Sequence, residues 1–446
     1  MNIGTHCNNR SRTFKRLGSP GLNMGFRDLV DGIRTVKDPI SVNYDMKIAS
    51  ESSGNQPLLF NEIIESHGQR AVTNILTRHR LCEAFDVEPG ELIDILSWAM
   101  ENPCDTVPVD PGSAPVLENR MAHTDISILP IPWHYREDGG RYQSSSIIIA
   151  QYGGQRNTSF HRQLLKGPDR TTVRLVPRHL RTMADRAYEN NEDVPIAVVN
   201  GPDPLVLLAA AMSFNEPIDE LRVASALHER LYGVKLGLVE LPNGVQVPAE
   251  SEYAMEARIT TKLDDEGPYV DITGTVDDIR QEPVIEYDSI YHRNEPIFHA
   301  LIPAGVEHMT LMGMPRAPTI KTAVSEVVTC TDVYLTDGGS GWLSSVVQII
   351  PENSGDSMRA IQAALDGHKS MKQVIVVDTD IDVANSTRVE WALMTRWQPD
   401  KDTLILSDQK GSSLDPSRSP DGTTSKIGLD ATIEPGADRT PFESVL

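Results

Sequence analysis

The spacing of apolar positions divides this chain into three stretches of different character. From Met24 to about Trp98 it is mixed. Phe26-Arg-Asp-Leu-Val-Asp-Gly-Ile33 repeats at helical spacing, Gln56-Pro-Leu-Leu-Phe60 reads as a strand, and Glu91 to Met100 reads as a helix. Pro103 to Pro115 is rich in Pro, Asp and Gly and marks a boundary. From about 116 to 312 the pattern is mostly strand-like. Ser144–Ala150, Thr171–Val176, Val194–Val199, Ala254–Thr260 and Tyr269–Thr275 are short runs separated by turn residues, with one helix over Glu220–Leu231. Short strands at this spacing predict an antiparallel barrel or sandwich. Beyond 312, Gln373-Val-Ile-Val-Val-Asp378 is a continuous apolar strand between helical stretches at Ser357–Ala364 and Val389–Thr395. The strand Thr403–Leu406 follows, and this alternation predicts a partly parallel sheet.

At 446 residues the chain exceeds one ordinary core and is expected to form two or three domains. A net charge of −22 argues against sequence-independent nucleic-acid or anionic-membrane binding, which needs clustered Lys and Arg. Cys7, Cys82, Cys104 and Cys330 are scattered without a C-x-x-C pair, which suits a reducing cytoplasm. The longest uncharged apolar stretch, Pro204 to Asn215, is far short of the roughly 20 residues of a membrane span. Residues 1–23 carry Arg10, Arg12, Lys15 and Arg16 and no acid, and read as a disordered or organelle-targeting extension.

Two clusters carry chemistry. Asn157-Thr-Ser-Phe-His-Arg162 offers a metal-capable amide and a guanidinium, and Glu266-Gly-Pro-Tyr-Val-Asp271 offers two carboxylates five positions apart. Together they can handle a substrate carboxylate and a proton. Asp378-Thr-Asp-Ile-Asp382 is read as a capped strand end, since no G-x-G-x-x-G accompanies it.

These clusters lie in a series of segments that resembles the UbiD family of prenylated-FMN-dependent decarboxylases. Thr124-Asp-Ile-Ser-Ile-Leu-Pro-Ile-Pro132 with Asp138-Gly-Gly-Arg-Tyr142 is similar to the segment before that family's cofactor loop. Asn157 to Arg162 resembles its N-x-x-x-[YF]-R element, Glu266 to Asp271 its E-G-P-[YF]-G-[ED] element, and Thr424-Ser-Lys-Ile-Gly-Leu-Asp-Ala-Thr432 its tail motif. Asn200–Pro204, Ile290–Arg293 and Val389–Arg396 fall between them in the familiar order.

The resemblance implies an α/β (α+β) fold in three parts. These are a small N-terminal α/β domain (24–115), a central flavin-reductase-like split β-barrel (116–312) and a C-terminal α/β oligomerisation domain (313–446). It implies Mn2+ or another divalent metal, with K+ as a further cation, held by Asn157, His179 and Glu220 at the phosphate of prenylated FMN. Ser159, Phe160, Arg162 and Lys426 are implied as further cofactor contacts. Arg162, Glu266 and Asp271 are implied as the catalytic trio, with Glu266 the proton donor. The implied activity is non-oxidative, reversible decarboxylation of an aromatic, heteroaromatic or α,β-unsaturated acid in a cytoplasmic homodimer or higher homo-oligomer. A flavin prenyltransferase would supply the cofactor. Two other readings are a non-catalytic subunit of a larger (de)carboxylase assembly and a split-barrel reductase using ordinary FMN.

Four departures from the family pattern bear on the site, one being Thr273-Gly-Thr-Val276 in place of the usual Gly followed by aromatics. Val270 stands where the family has Gly, which predicts reduced backbone freedom before Asp271, and His161 stands where it has Tyr or Phe. Ala304 to Met314 is methionine-rich and would fall near the substrate pocket, as a flexible lining or as core packing.

Overall fold

The computed structural model describes residues 25–214 and 216–442. The extension over 1–23 lies outside the described residues. The fold is mixed α/β, as the pattern predicts, and is built on three principal sheets.

The central sheet runs in the order Tyr142–Gln143, Gln163–Leu165, Arg170–Val173, Arg280–His292, Tyr253–Glu266, Val194–Asn200, Ile147–Tyr152, Gln155–Phe160, with Asn119–Arg120 added beside Arg280–His292. The two ends of this path are not paired with each other, so the sheet is split rather than closed. Ile147–Tyr152 and Val194–Asn200 are apolar on both faces because both faces are covered. Ile147, Ile149, Ala197 and Val199 enter one core under the helices Pro89–Glu101, Pro204–Ala211 and Glu220–Tyr232. Ile148, Ala150, Ile196 and Val198 enter the other, with the helix His179–Glu189.

Two strands are longer than the predicted short ones. Tyr253–Glu266 has 14 residues and Arg280–His292 has 13. Thr261 to Asp265 is polar and mostly exposed, so its composition reads as a turn, yet it continues the ladder beyond a register shift between Ile259 and Leu263. That extension carries Glu266 away from the apolar half of the strand.

The N-terminal sheet pairs Arg34–Val36, Leu58–Phe60 and Arg70–Thr73 and is completed by Ile297–His299, which the chain contributes after the central sheet. Val107–Pro108, just inside the predicted boundary, pairs with Gly237–Glu240. The segments therefore interleave where turn-rich composition alone marks a clean break. In the C-terminal sheet Ser344–Ile350, Gln373–Asp378 and Thr423–Ala431 are parallel, and Thr329–Leu335 and Thr403–Lys410 add antiparallel edges. Val374 and Val376 face one core while Ile375 and Val377 face another, which is why Gln373–Asp378 is apolar throughout. Asp378 and Asp380 bind Arg396, so this acidic strand end is an ion-pair lock.

Candidate active site

Arg162 lies between the strands Gln155–Phe160 and Gln163–Leu165, and Glu266 ends its long strand in full burial. The fold closes the 104 residues between them. Arg162 Nε donates to Glu266 Oε1 and Nη2 to Glu266 Oε2, both at 2.9 Å, in a bidentate pair. Nη1 donates to Asp271 Oδ2 at 2.9 Å, so the three expected catalytic residues meet on one guanidinium. The ring of Tyr269 lies 4.6 Å from the guanidinium carbon and covers it. Burial pulls the Arg162 pKa down, but the hydrogen bonds and charges of Glu266 and its neighbours outweigh this and raise it.

The Glu-Gly-Pro turn is clamped by Asp138-Gly-Gly-Arg-Tyr142. Gly139 N donates to Pro268 O at 2.7 Å, and Val270 N donates to Asp138 Oδ1 at 2.8 Å. A Cβ at Gly139 would sit 2.5 Å from Gly267 O, and one at Gly267 would sit 2.7 Å from Asp278 O. Glycine is required at both places by close approach, and Gly267 also has φ of +103°. The Tyr142 hydroxyl lies 3.2 Å from both Glu266 Oε1 and Pro268 O and accepts from Gly267 N at 3.1 Å. Burial, reinforced by the charge of Glu266, raises the Tyr142 pKa and keeps it a neutral donor. Burial likewise pushes Asp138 up to about 6, against the two backbone N–H groups it accepts.

Val270 is buried in an extended strand and is absent from the positive-φ positions. The backbone here makes no use of a glycine's freedom, so this departure leaves the position of Asp271 intact. Asp277 was not legible in the sequence. It sits across the Tyr269–Val270/Val276–Asp277 ladder and accepts from Arg162 Nη2 at 2.7 Å and from two Arg280 nitrogens at 2.7 Å. Burial works to raise its pKa, but both guanidinium groups bring it down to about 2.

The second part of the site is built on Asn157 and Glu220. Glu220 opens the helix Glu220–Tyr232, with Asp219 as its N-cap. Glu220 accepts from Asn157 Nδ2 at 2.9 Å and Thr158 N at 2.7 Å and has no cationic partner among the described residues. Burial pushes its pKa up to about 8, only partly offset by these donors. Ser159 Oγ stands 3.0 Å from Asn157 Oδ1 and 2.9 Å from His161 Nε2. Burial holds His161 down at about 4, so the ring is neutral, and Nδ1 needs its proton for Arg174 O at 3.0 Å. The single hydroxyl proton of Ser159 then belongs to His161 Nε2, and the amide oxygen of Asn157 faces Ser159 Oγ without a proton. An uncompensated buried carboxylate beside a bare amide oxygen fits a hard divalent cation. His161 thus acts through Ser159, and both its nitrogens are spent on the protein.

His179 opens the helix His179–Glu189, half-buried, and makes no hydrogen bond to Asn157 or Glu220. Among the described residues no group of three or more His, Cys, Asp and Glu is gathered tightly enough to hold a metal. Lys426 belongs to a basic group. Its Nζ donates to Lys369 O at 2.6 Å, and it acts with Arg316 and Arg178 on buried His368. Burial first, then Arg316 and these other cations, holds His368 down at about 3, and burial followed by Arg178 brings Arg316 down to about 10. Arg316 pairs with no acid among the described residues and lies over the Trp342 ring at 5.2 Å. Such a cluster is suited to an anion. Phe160 packs, partly buried, on the larger central core.

A UbiD family model, the 3-octaprenyl-4-hydroxybenzoate carboxy-lyase Rift-related domain, matches residues 107–306, and the family's C-terminal domain matches 309–431. The chain belongs to the UbiD family. It is a decarboxylase of that family. It is 40% identical over 420 residues to the anhydromevalonate phosphate decarboxylase of Methanosarcina mazei, covering 92% of this chain and 96% of that one. It is 27% identical to the gallate decarboxylase of Lactiplantibacillus plantarum, covering 84% of each. The UbiD-class enzyme HmfF from Pelotomaculum thermopropionicum, in complex with FMN, superposes with a TM-score of 0.89 at 32% identity, covering 95% of this chain and 97% of HmfF. An evolved dimeric form of HmfF with prFMN gives 0.85 at 30% identity, covering 94% and 96%. No helix among the described residues is long and apolar enough to cross a membrane.

Proposed function

We propose that this UbiD-family chain decarboxylates anhydromevalonate phosphate, or a close phosphorylated α,β-unsaturated acid, with prenylated FMN and a divalent cation. The observation that carries the reading is the convergence of Arg162, fully buried Glu266 and partly buried Asp271 in one hydrogen-bonded cluster. The substrate choice is supported by relatives of that name at 35–41% identity, against 27% for the gallate and phenolic acid decarboxylases. Dehydrating a 3-hydroxy acid leaves a 2,3-double bond, so the name denotes the α,β-unsaturated member of the three expected acid classes.

When bound, prenylated FMN supplies the electron sink for the pair freed as carbon dioxide leaves. The protein's part is position and proton. Arg162 receives the substrate carboxylate, which adds negative charge beside three acids and favours a proton on one of them. Glu266, hydrogen-bonded to Tyr142, delivers that proton to the carbon that has lost carbon dioxide, and Asp271 holds the guanidinium square to both. Asn157 and Glu220 would hold the cation, with Mn2+ the expected occupant and His179 at the adjoining helix start. The group of Arg178, Arg316 and Lys426 would receive phosphate.

A homo-oligomer in the reducing cytoplasm, with a flavin prenyltransferase as cofactor source, completes the proposal; free Cys82, Cys104 and Cys330 accord with it. The test is co-expression with a flavin prenyltransferase, then carbon-dioxide release from anhydromevalonate phosphate beside gallate and unsaturated acids lacking phosphate. Turnover of gallate in preference to the phosphorylated acid overturns the substrate assignment.

A further inference from the structure

Arg162 is the expected receptor for the substrate carboxylate, yet its donors are already spent. A guanidinium has two forks for gripping a carboxylate with two bonds, Nε with Nη2 and Nη1 with Nη2, and both require Nη2. Here the two Nη2 hydrogens go to Glu266 Oε2 at 2.9 Å and Asp277 Oδ2 at 2.7 Å. Nε is also committed, leaving one free N–H, on Nη1. No bidentate grip on a substrate is possible until Glu266 or Asp277 lets go.

The two are not equally free to do so. The Glu266 side chain is fully buried, shares the Tyr142 hydroxyl and takes two bonds from Arg162. Asp277 is 27% exposed, ends a two-residue strand and takes a single bond from Arg162. It also has a second cation in place, since Arg280 Nη1 and Nη2 reach its two oxygens at 2.7 Å. Asp277 can leave Arg162 without becoming an unpaired charge, whereas Glu266 cannot.

We propose that Asp277 is a placeholder for the substrate carboxylate, occupying its position on Arg162 in the free enzyme and handed over to Arg280 when substrate arrives. It is a positioning residue that keeps the guanidinium neutralised and aimed while the pocket is empty, at the cost of competing with the substrate. The inference rests on Arg162 being the carboxylate receptor.

The test is steady-state kinetics of the holoenzyme with anhydromevalonate phosphate. Asp277→Asn removes the competing charge, so KM should drop roughly tenfold, as expected for losing one partly exposed charge-assisted bond to a competitor, and kcat should fall by less than KM. kcat/KM then rises, an outcome that a merely structural role does not produce. Arg280→Gln takes away the second cation and should raise KM several-fold in the wild type, but not in the Asp277→Asn background. Asp277→Ala serves as a second variant, with the flavin spectrum and melting temperature reporting the fold. An unchanged or raised KM in folded Asp277→Asn and Asp277→Ala overturns the placeholder, as does an Arg280→Gln effect equal in both backgrounds. Arg162→Gln separates the two readings. If it binds the saturated substrate analogue as well as wild type does, Arg162 is not the receptor; if it loses that binding while Asp277 variants keep the wild-type KM, only the placeholder fails.

Discussion

Glu220 makes the stability of the metal-free protein depend on pH in an unusual direction. Its carboxyl is buried, accepts two neutral donors, and titrates at about 8 rather than 4.5. Between those values the folded protein binds a proton that the unfolded chain does not, so stability falls as pH rises. At about 1.4 kcal/mol per pH unit, the full window is worth an upper bound on the order of 5 kcal/mol. For a chain of this size that corresponds to a drop in apparent melting temperature of roughly 4 °C between pH 5 and pH 8. The assay is thermal unfolding of chelated protein at several pH values beside Glu220→Gln, which cannot titrate and should lack this component. Adding Mn2+ should remove the penalty, because a cation binds the deprotonated carboxylate. Its affinity should rise about tenfold per pH unit below 8 and then level off. Calorimetry in buffers of different ionisation heats should find about one proton released near pH 7. Identical pH slopes for wild type and Glu220→Gln, or a cation affinity flat from pH 6 to 8, would refute the reasoning.

Other substitutions probe the rest of the site. Glu266→Gln should retain flavin but lower kcat by roughly 10²–10⁴, the usual worth of a positioned acid, read from carbon-dioxide release. Gly139→Ala forces a methyl to 2.5 Å from Gly267 O and should cost about 1–3 kcal/mol of stability, with activity lost through displacement of Glu266. Tyr142→Phe strands Gly267 N in a buried turn and should destabilise by about 1–3 kcal/mol while depressing kcat, measured by denaturant unfolding and single turnover. Asn157→Leu should strip the divalent metal, seen by elemental analysis, without changing the Arg162–Glu266 pair.

The sequence revealed the charged groups of the site more readily than what holds them. Glu266 and Asp271 are legible because they flank a Gly-Pro turn whose glycine is needed by close backbone approach, and Arg162 because it ends a segment that matches the family's asparagine-to-arginine spacing. Tyr142 and Asp138 lie in a segment with a recognisable pattern, but their role depends on a turn that arrives from 125 or more residues away in sequence. Asp277 gave no signal, since an acid after a Gly-containing turn is ordinary and only the two-residue ladder with Tyr269–Val270 brings it to Arg162. Element positions were recovered where both faces are apolar, as in Gln373–Asp378 and Val194–Asn200. They were cut short where one half of a strand is polar, as in Tyr253–Glu266. The interleaving of Ile297–His299 into the N-terminal sheet could not be read, because strand pairing is non-local.

The strand carrying Glu266 is hydrogen-bonded between Val194–Asn200 on one side and Arg280–His292 on the other. No contiguous fragment of the chain that stops short of residue 292 contains the complete cradle. During synthesis, Arg162 emerges from the ribosome long before Glu266, Asp271 and Asp277, the acids that neutralise it. The charged cluster around Arg162 therefore comes into being late and all at once, only when the far strands of the central sheet are in place.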